Sequence, residues 1–178
     1  MIVIVGASAS GKSTLQDEIC ARFPQYEKLV TYTSRPRREG EIDGVDYHFR
    51  NELYFDQHID EFLEVNTYNG WSYGTKKCDL KENTVAIMTP SGMRILQKYH
   101  EAYRWPINIT YFYLDVPRRD RLIASLERGD DVDEAIRRNL SDVGMFDGVY
   151  NEVTYTLFNS KYKKSVKELV DEVETLML

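Results

Sequence analysis

Residues Met1 to Val5 read Met-Ile-Val-Ile-Val, and the next nine read Gly6-Ala7-Ser8-Ala9-Ser10-Gly11-Lys12-Ser13-Thr14. The pattern is G-x-x-x-x-G-K-[ST], set between a β-branched apolar run and a stretch of helical periodicity. It demands a strand, a tight turn and the first turn of a helix in that order. Gly6 and Gly11 let the chain turn tightly and bring backbone N–H groups close to a phosphate. Lys12 reaches the outer phosphates of a nucleoside triphosphate, and the Ser13 hydroxyl is placed to ligate Mg2+. A helix opening near Gly11 adds its dipole to the same anion site. The competing reading is a plain Gly-Ser turn, but sequence, position and flanks all favour a phosphate loop.

Beyond the loop, Leu15, Ile19 and Phe23 recur at helical spacing up to Pro24. A short strand is expected at Leu29–Thr33, a small one at Val45–Phe49, and a short helix at Leu53–Ile59. Asn69-Gly70 between Glu61–Tyr68 and Trp71–Gly74 is the strongest hairpin signal in the chain. Residues 31–81 thus form a small β-rich insertion in a larger α/β domain. The remainder alternates strands at Thr84–Met88, Ile107–Val116 and Val153–Phe158 with helices at Gly92–Tyr103, Arg118–Arg128, Val132–Asp142 and Lys163–Met177. The fourth of these helices, in chain order with the loop helix first, carries Leu122 and Leu126 on one face. This order implies an α/β three-layer fold with a parallel central sheet and a ligand at the carboxyl ends of its strands.

The 178 residues fit one domain with insertions, long enough to bury a core without metal or disulfide. Lys plus Arg is 23 against 29 Asp plus Glu, a net charge of −6, which argues against general nucleic-acid or anionic-membrane binding. Cys20, expected to be buried on the first helix, and Cys78 make neither a metal site nor a disulfide framework. No apolar run approaches the roughly 20 residues of a membrane-spanning helix. Met1 begins a strand with no basic region before it, so the expected location is cytoplasmic.

The positive charge is clustered in Thr33-Ser34-Arg35-Pro36-Arg37-Arg38-Glu39-Gly40-Glu41, which its proline and glycine bar from regular helix. Arginine forks grip phosphate oxygens in pairs, and Tyr47 supplies a further donor. Such a cluster can hold a second phosphate facing the first nucleotide. Equally, it can be a solvated loop pairing with Glu39 and Glu41. Glu64, after an apolar pair and before a hairpin, can likewise be a strand carboxylate facing water.

Thr33 to Phe49, with Arg35, Arg38-x-Gly40-Glu41, Asp43-Gly44 and Asp46-Tyr47-x-Phe49, resembles the monophosphate-binding segment of guanylate kinases. The resemblance continues through Glu61-Phe62-Leu63-Glu64, Tyr73-Gly74-Thr75, Arg128-Gly129 and Glu134-x-Ile136-x-Arg138. It covers essentially the whole chain. It implies a phosphate-loop (P-loop) fold with a core of 1–30, 82–127 and 143–178, a nucleoside monophosphate-binding insertion of about 31–81, and a helical lid of about 128–142. Arg35, Arg38, Tyr47 and Tyr73 would bind the acceptor phosphate, with Thr31 where the family often has a phosphate-contacting serine. Glu64 would accept from guanine N1–H and the amino group, Thr75 would stand near guanine O6, and Gly74 would also belong to the GMP-binding set. The loop residues Gly6 to Thr14, together with Asn159, would bind ATP. Lys12, Arg35, Arg128 and Arg138 would stabilise the transferring phosphoryl group, whereas Arg137 reads better as part of a charged helix face.

The sequence departs from the family at several places. Ile87 and Thr89 replace acidic residues at the end of a strand, Asn139 replaces a lid arginine, and Ala9 replaces a loop glycine. The activity implied is Mg2+-dependent transfer of the γ-phosphoryl of ATP to GMP or dGMP. Rival readings are a kinase of the same fold acting on another nucleotide or a phosphorylated sugar, and a non-catalytic module binding phosphopeptides. His48, His58 and His100 match no family catalytic position, so a broad pH optimum is expected. No nucleic-acid or membrane partner is expected, and the chain is read as a monomer or homodimer.

Overall fold

The computed structural model describes residues 1–68 and 70–177. The elements are β1 (Ile2–Val5), α1 (Lys12–Arg22), β2 (Glu27–Lys28), β3 (Tyr32–Thr33), β4 (His48–Phe49), α2 (Glu52–Gln57), β5 (Phe62–Tyr68) and β6 (Trp71–Lys76). They continue as β7 (Thr84–Met88), α3 (Pro90–Tyr103), β8 (Thr110–Asp115), α4 (Arg118–Glu127), α5 (Val132–Ser141), β9 (Tyr155–Phe158) and α6 (Val166–Met177).

A five-stranded sheet runs in the order β2-β7-β1-β8-β9, and every pairing in it is parallel. Its central strand shows why the first apolar run is continuous rather than alternating. Ile2 and Ile4 pack with Leu15 and Ile19 of α1 and Leu169, Val170 and Val173 of α6. Val3 and Val5 point the other way, onto Met93 and Leu96 of α3 and onto Val149. With helices on both faces, all four strand residues are fully buried. The expected α/β fold with a parallel central sheet is what the chain adopts.

A second sheet, β4-β3-β6-β5, is built from residues 32–76. β5 and β6 pair antiparallel from Phe62 opposite Lys76 to Tyr68 opposite Trp71. Asn69, of the expected Asn-Gly turn, lies outside the described residues. The sheet has its own small aromatic core of Tyr32, Phe55 and Phe62.

Three expectations shift for local reasons. The strand expected from Ile107 begins at Thr110, because its partner Ile2 begins there and the Met1 ammonium is tied to Asn108 O at 2.7 Å. The last helix begins at Val166 rather than Lys163. Ser165 and Glu168 form a capping box there: Ser165 N–H donates to Glu168 Oε2 at 2.7 Å, and Glu168 N–H donates to Ser165 Oγ at 3.3 Å. On α4 the buried residues are Arg121 and Ser125, whereas Leu126 is exposed. That face meets the phosphate loop instead of an apolar core. Cys20 is half-buried and Cys78 exposed. Among the described residues no helix is long and apolar enough to cross a membrane.

Candidate active site

Gly6-Ala7-Ser8-Ala9-Ser10-Gly11 leaves the carboxyl end of β1 and enters α1 at Lys12. A Cβ on Gly6 would lie 2.9 Å from Leu114 O, so the loop hugs the neighbouring strand β8 only because residue 6 is glycine. Ala9, where the family resemblance led to a glycine, holds the left-handed φ of 59°, at a cost of about 1–2 kcal/mol. Tyr162 anchors it by donating its hydroxyl to Ala9 O. Lys12 Nζ folds back to Ala7 O at 2.7 Å. Burial pushes the Lys12 ammonium down to about 8, with Asp142 opposing that shift and Arg121 adding to it. Ser10 Oγ is buried without a hydrogen-bond partner among the described residues. The donor set of amides, an ammonium and an orphaned hydroxyl fits a phosphate group.

Two residues that the sequence did not point to complete this wall. Arg121 of α4 donates to Val116 O at 3.0 Å and, through Nη1, to Ser8 O at 3.1 Å and Asp142 Oδ2 at 3.0 Å. Asp142, just past α5, also accepts from Ser8 N–H at 2.8 Å. Both side chains are nine-tenths buried. A carboxylate of the protein thus sits on an amide of the phosphate loop. Only the burial of an arginine on a helix face could have hinted at this pair.

Across a cavity of about 470 Å³ from Gly6, Ser8 and Lys12 lies the wall built by the second sheet. Thr31, Arg35, Arg38 and Tyr47 line one part of it, and Glu64, Tyr73, Gly74 and Thr75 line another. Arg35 is almost fully buried and forks onto Glu41, Nη1 to Oε2 at 2.9 Å and Nη2 to Oε1 at 2.7 Å. Its guanidinium lies over the rings of Tyr47 and Phe49 at 5.5 and 5.6 Å. The Arg35 pair is the main reason the Glu41 carboxyl falls to about 2. Both sequence readings of the basic turn therefore apply to Arg35, which pairs internally and also faces the cavity. Glu64 is half-buried, and desolvation raises its pKa while a hydrogen bond from Asn66 opposes the rise.

The residues expected in a lid divide. Arg137 and Arg138 line the same cavity, both held by Glu134, with Arg137 Nε at 2.7 Å and Arg138 Nε at 2.6 Å. Arg128 does not reach it, being exposed and paired with Asp130. Asn159 is also apart: Nδ2 donates to Lys164 O at 3.1 Å and Oδ1 accepts from Lys164 N–H at 2.9 Å, so its amide braces the turn into α6. Thr89 caps α3, accepting from Gly92 N–H at 3.1 Å, with Pro90 in the first turn. Ile87 and Thr89 line the cavity without adding a charge. Asn139 is buried and accepts from Arg118 Nε at 2.6 Å.

For a divalent cation the donors are few. Ser13 is exposed and its hydroxyl makes no hydrogen bond among the described residues. No group of three or more His, Cys, Asp or Glu among those residues could hold a metal ion. This suits Mg2+ carried largely by nucleotide phosphates and water, with one protein hydroxyl, and not an all-protein cage.

A parallel sheet with a phosphate loop at the carboxyl end of its central strand, facing an arginine- and tyrosine-lined wall, defines an α/β protein of the phosphate-loop class. A family model described as Guanylate kinase matches residues 1–175. The chain belongs to that family. It is 30% identical to a guanylate kinase of Synechococcus sp. (strain JA-3-3Ab), covering 95% of this chain and 79% of the relative. It is likewise 30% identical to one of Geobacter sulfurreducens, covering 95% and 85%. The crystal structure of guanylate kinase from Anaplasma phagocytophilum superposes with a TM-score of 0.63 at 17% identity, over 99% of this chain and 83% of that one.

Proposed function

We propose that this protein transfers the γ-phosphoryl group of ATP to the phosphate of GMP or dGMP, giving ADP and the diphosphate. The observation that carries the reading is that Lys12 and the set Arg35, Arg38, Glu64, Tyr73 and Thr75 open onto one cavity. A cavity of this size is in the range that buries a small ligand. In this reading the amides of Gly6 to Thr14 cradle the phosphates of ATP, and Lys12 neutralises the outer ones. Ser13 holds Mg2+, which supplies charge neutralisation between the phosphates. Arg35, Arg38, Tyr47 and Tyr73 hold the acceptor phosphate, with Thr31 beside them. Glu64 accepts from guanine N1–H and the amino group, and Thr75 stands near O6.

Transfer then needs the acceptor oxygen in line with the γ-phosphorus and the developing charge neutralised. An oxygen–phosphorus bond forms to the acceptor as the bond to ADP breaks. Residues 31–81 act as the acceptor-binding insertion and 128–142 as a lid on a core of 1–30, 82–127 and 143–178. Arg138 faces the transferring group directly, and Arg128 joins only when the lid closes and Asp130 is given up. The test is ADP release from ATP and Mg2+ with GMP, dGMP, AMP, CMP, UMP and dTMP in turn. Turnover confined to GMP and dGMP is expected. Turnover with another acceptor moves the substrate, and none with any acceptor overturns the reading.

A further inference from the structure

One polar residue of the cavity wall has no part in the scheme above. β5 places Glu64 and Asn66 two residues apart, hence on one face of the strand and about 7 Å from each other. Across the ladder Glu64 lies opposite Thr75 and Asn66 opposite Tyr73. All four line the cavity. Asn66 Nδ2 donates to Glu64 Oε2 at 2.7 Å. An ionised carboxylate only accepts, so the nitrogen end of the amide must face Glu64 and the oxygen end is turned away. Asn66 Oδ1 has no hydrogen-bond partner among the described residues and is not sealed from solvent. The Glu64 carboxylate sits in space that a side chain at position 92 would fill, since a Cβ on Gly92 would fall 2.5 Å from its Oε1. The carboxylate and the amide bonded to it lie side by side on the cavity wall.

We propose that Asn66 is a specificity-determining residue whose Oδ1 accepts a hydrogen bond from the sugar edge of the acceptor nucleoside. The proposal rests on the reading of Glu64 as the base-facing residue and Tyr73 as a phosphate-facing one. Asn66 is bonded to the base-facing Glu64 and lies directly opposite the phosphate-facing Tyr73, so it adjoins the part of the nucleoside that links base to phosphate, the sugar edge. Two donors lie on that edge of a guanosine monophosphate: the second hydrogen of the 2-amino group and the ribose 2′-hydroxyl. Either gives an open amide oxygen its missing partner. Inosine monophosphate lacks the first donor and dGMP lacks the second, so the two sources can be told apart.

The experiment measures kcat/KM for GMP, dGMP and inosine monophosphate with the intact enzyme and with Asn66→Ala. Asn66→Val, which suits a strand and carries no polar atom, is measured alongside should alanine impair folding. The loss of one hydrogen bond predicts that the preference for GMP over one analogue shrinks by about 3–10-fold in the variants. A shrinking GMP-to-inosine ratio assigns the 2-amino group, and a shrinking GMP-to-dGMP ratio assigns the 2′-hydroxyl. A uniform fall for all three substrates overturns the proposal, because Asn66 then acts only by holding Glu64. Glu64→Gln separates the two layers. If it leaves the preference for GMP over AMP intact, the base-facing reading of Glu64 fails. If it removes that preference while both Asn66 ratios stay fixed, only the Asn66 proposal fails.

Discussion

The two walls of the cavity present positive groups to the same space, but they are made of different atoms. The phosphate loop offers backbone amides and one lysine, held by a strand whose four residues are fully buried. The opposite wall and the α5 segment offer side chains, and most of their cations are already paired. Arg35 forks onto Glu41, and Arg137 and Arg138 share Glu134. Arg38 is the exception, its guanidinium having no ion-pair or hydrogen-bond partner among the described residues. Backbone donors are placed by the fold. The side-chain cations are instead held by carboxylates. In the proposed reading the loop is ready-made, whereas the far wall and the α5 segment would exchange one anion for another. Asp142 carries the second arrangement into the first wall, since it accepts from Ser8 N–H and holds Arg121.

The largest contrast is expected from removing one cation on each side. Lys12→Ala lowers kcat by about 10³-fold or more, as befits a group that meets charge developing in the transition state. Arg35→Ala lowers kcat/KM for the acceptor by about 10–100-fold, the value of charged hydrogen bonds. Steady-state ADP release with thermal melting as a folding control measures both. Equal losses would break the distinction between the walls.

Next comes pH. Lys12 is held at about 8 in the nucleotide-free loop, and bound phosphates restore its charge. ATP binding therefore takes up a proton above pH 8, and Kd rises by about tenfold per pH unit there while staying flat below. Arg35 is pushed further up by Glu41 and Tyr73, so the acceptor KM stays level from pH 7 to 9. Calorimetry in two buffers of different ionisation heat reads the proton uptake directly. The broad optimum expected near neutrality gains an alkaline limit in this way. Because the folded value lies below the ordinary 10.5, the unfolded chain binds more protons between about 8 and 10.5. The Lys12 contribution to stability therefore improves as pH rises through that window.

The smallest effect is expected at Asp142. Asp142→Asn keeps an acceptor for Ser8 N–H but removes a negative charge from the phosphate site. ATP should bind about 3–10-fold tighter in the absence of acceptor, while the melting temperature falls because buried Arg121 loses its counter-charge. Weaker ATP binding would show that Asp142 serves by holding Arg121 in place and not by occupying the loop.

Much of this is legible in the sequence. The run Met1–Val5, the glycine-lysine-serine loop and the helix after it are local features, each fixed by neighbours within about twenty residues. The cluster around Arg35 could be read as a phosphate cradle or as a self-paired loop, and it is self-paired in a cradle's place. Leu122 and Leu126 share a helix face, but periodicity cannot say what lies opposite a face: the buried positions are Arg121 and Ser125, and Arg121 meets the phosphate loop. Arg121 and Asp142 left no sequence signal, being 113 and 134 residues from Ser8 and 21 from each other. Thr89 looked like a lost carboxylate and is the cap of α3.

Sequence alone determined the alternation of buried strands and amphipathic helices, and with it the parallel sheet and the loop at the end of its first strand. Those follow from backbone stereochemistry and apolar periodicity, which act over short distances. Tertiary structure alone decided which carboxylate each arginine holds, that Arg128 and Asn159 stand apart from the cavity, and that Asn66 lines it with its amide bonded to Glu64. Such facts depend on side chains brought together from distant segments, where ion pairing and hydrogen bonding choose among partners that no spacing rule ranks.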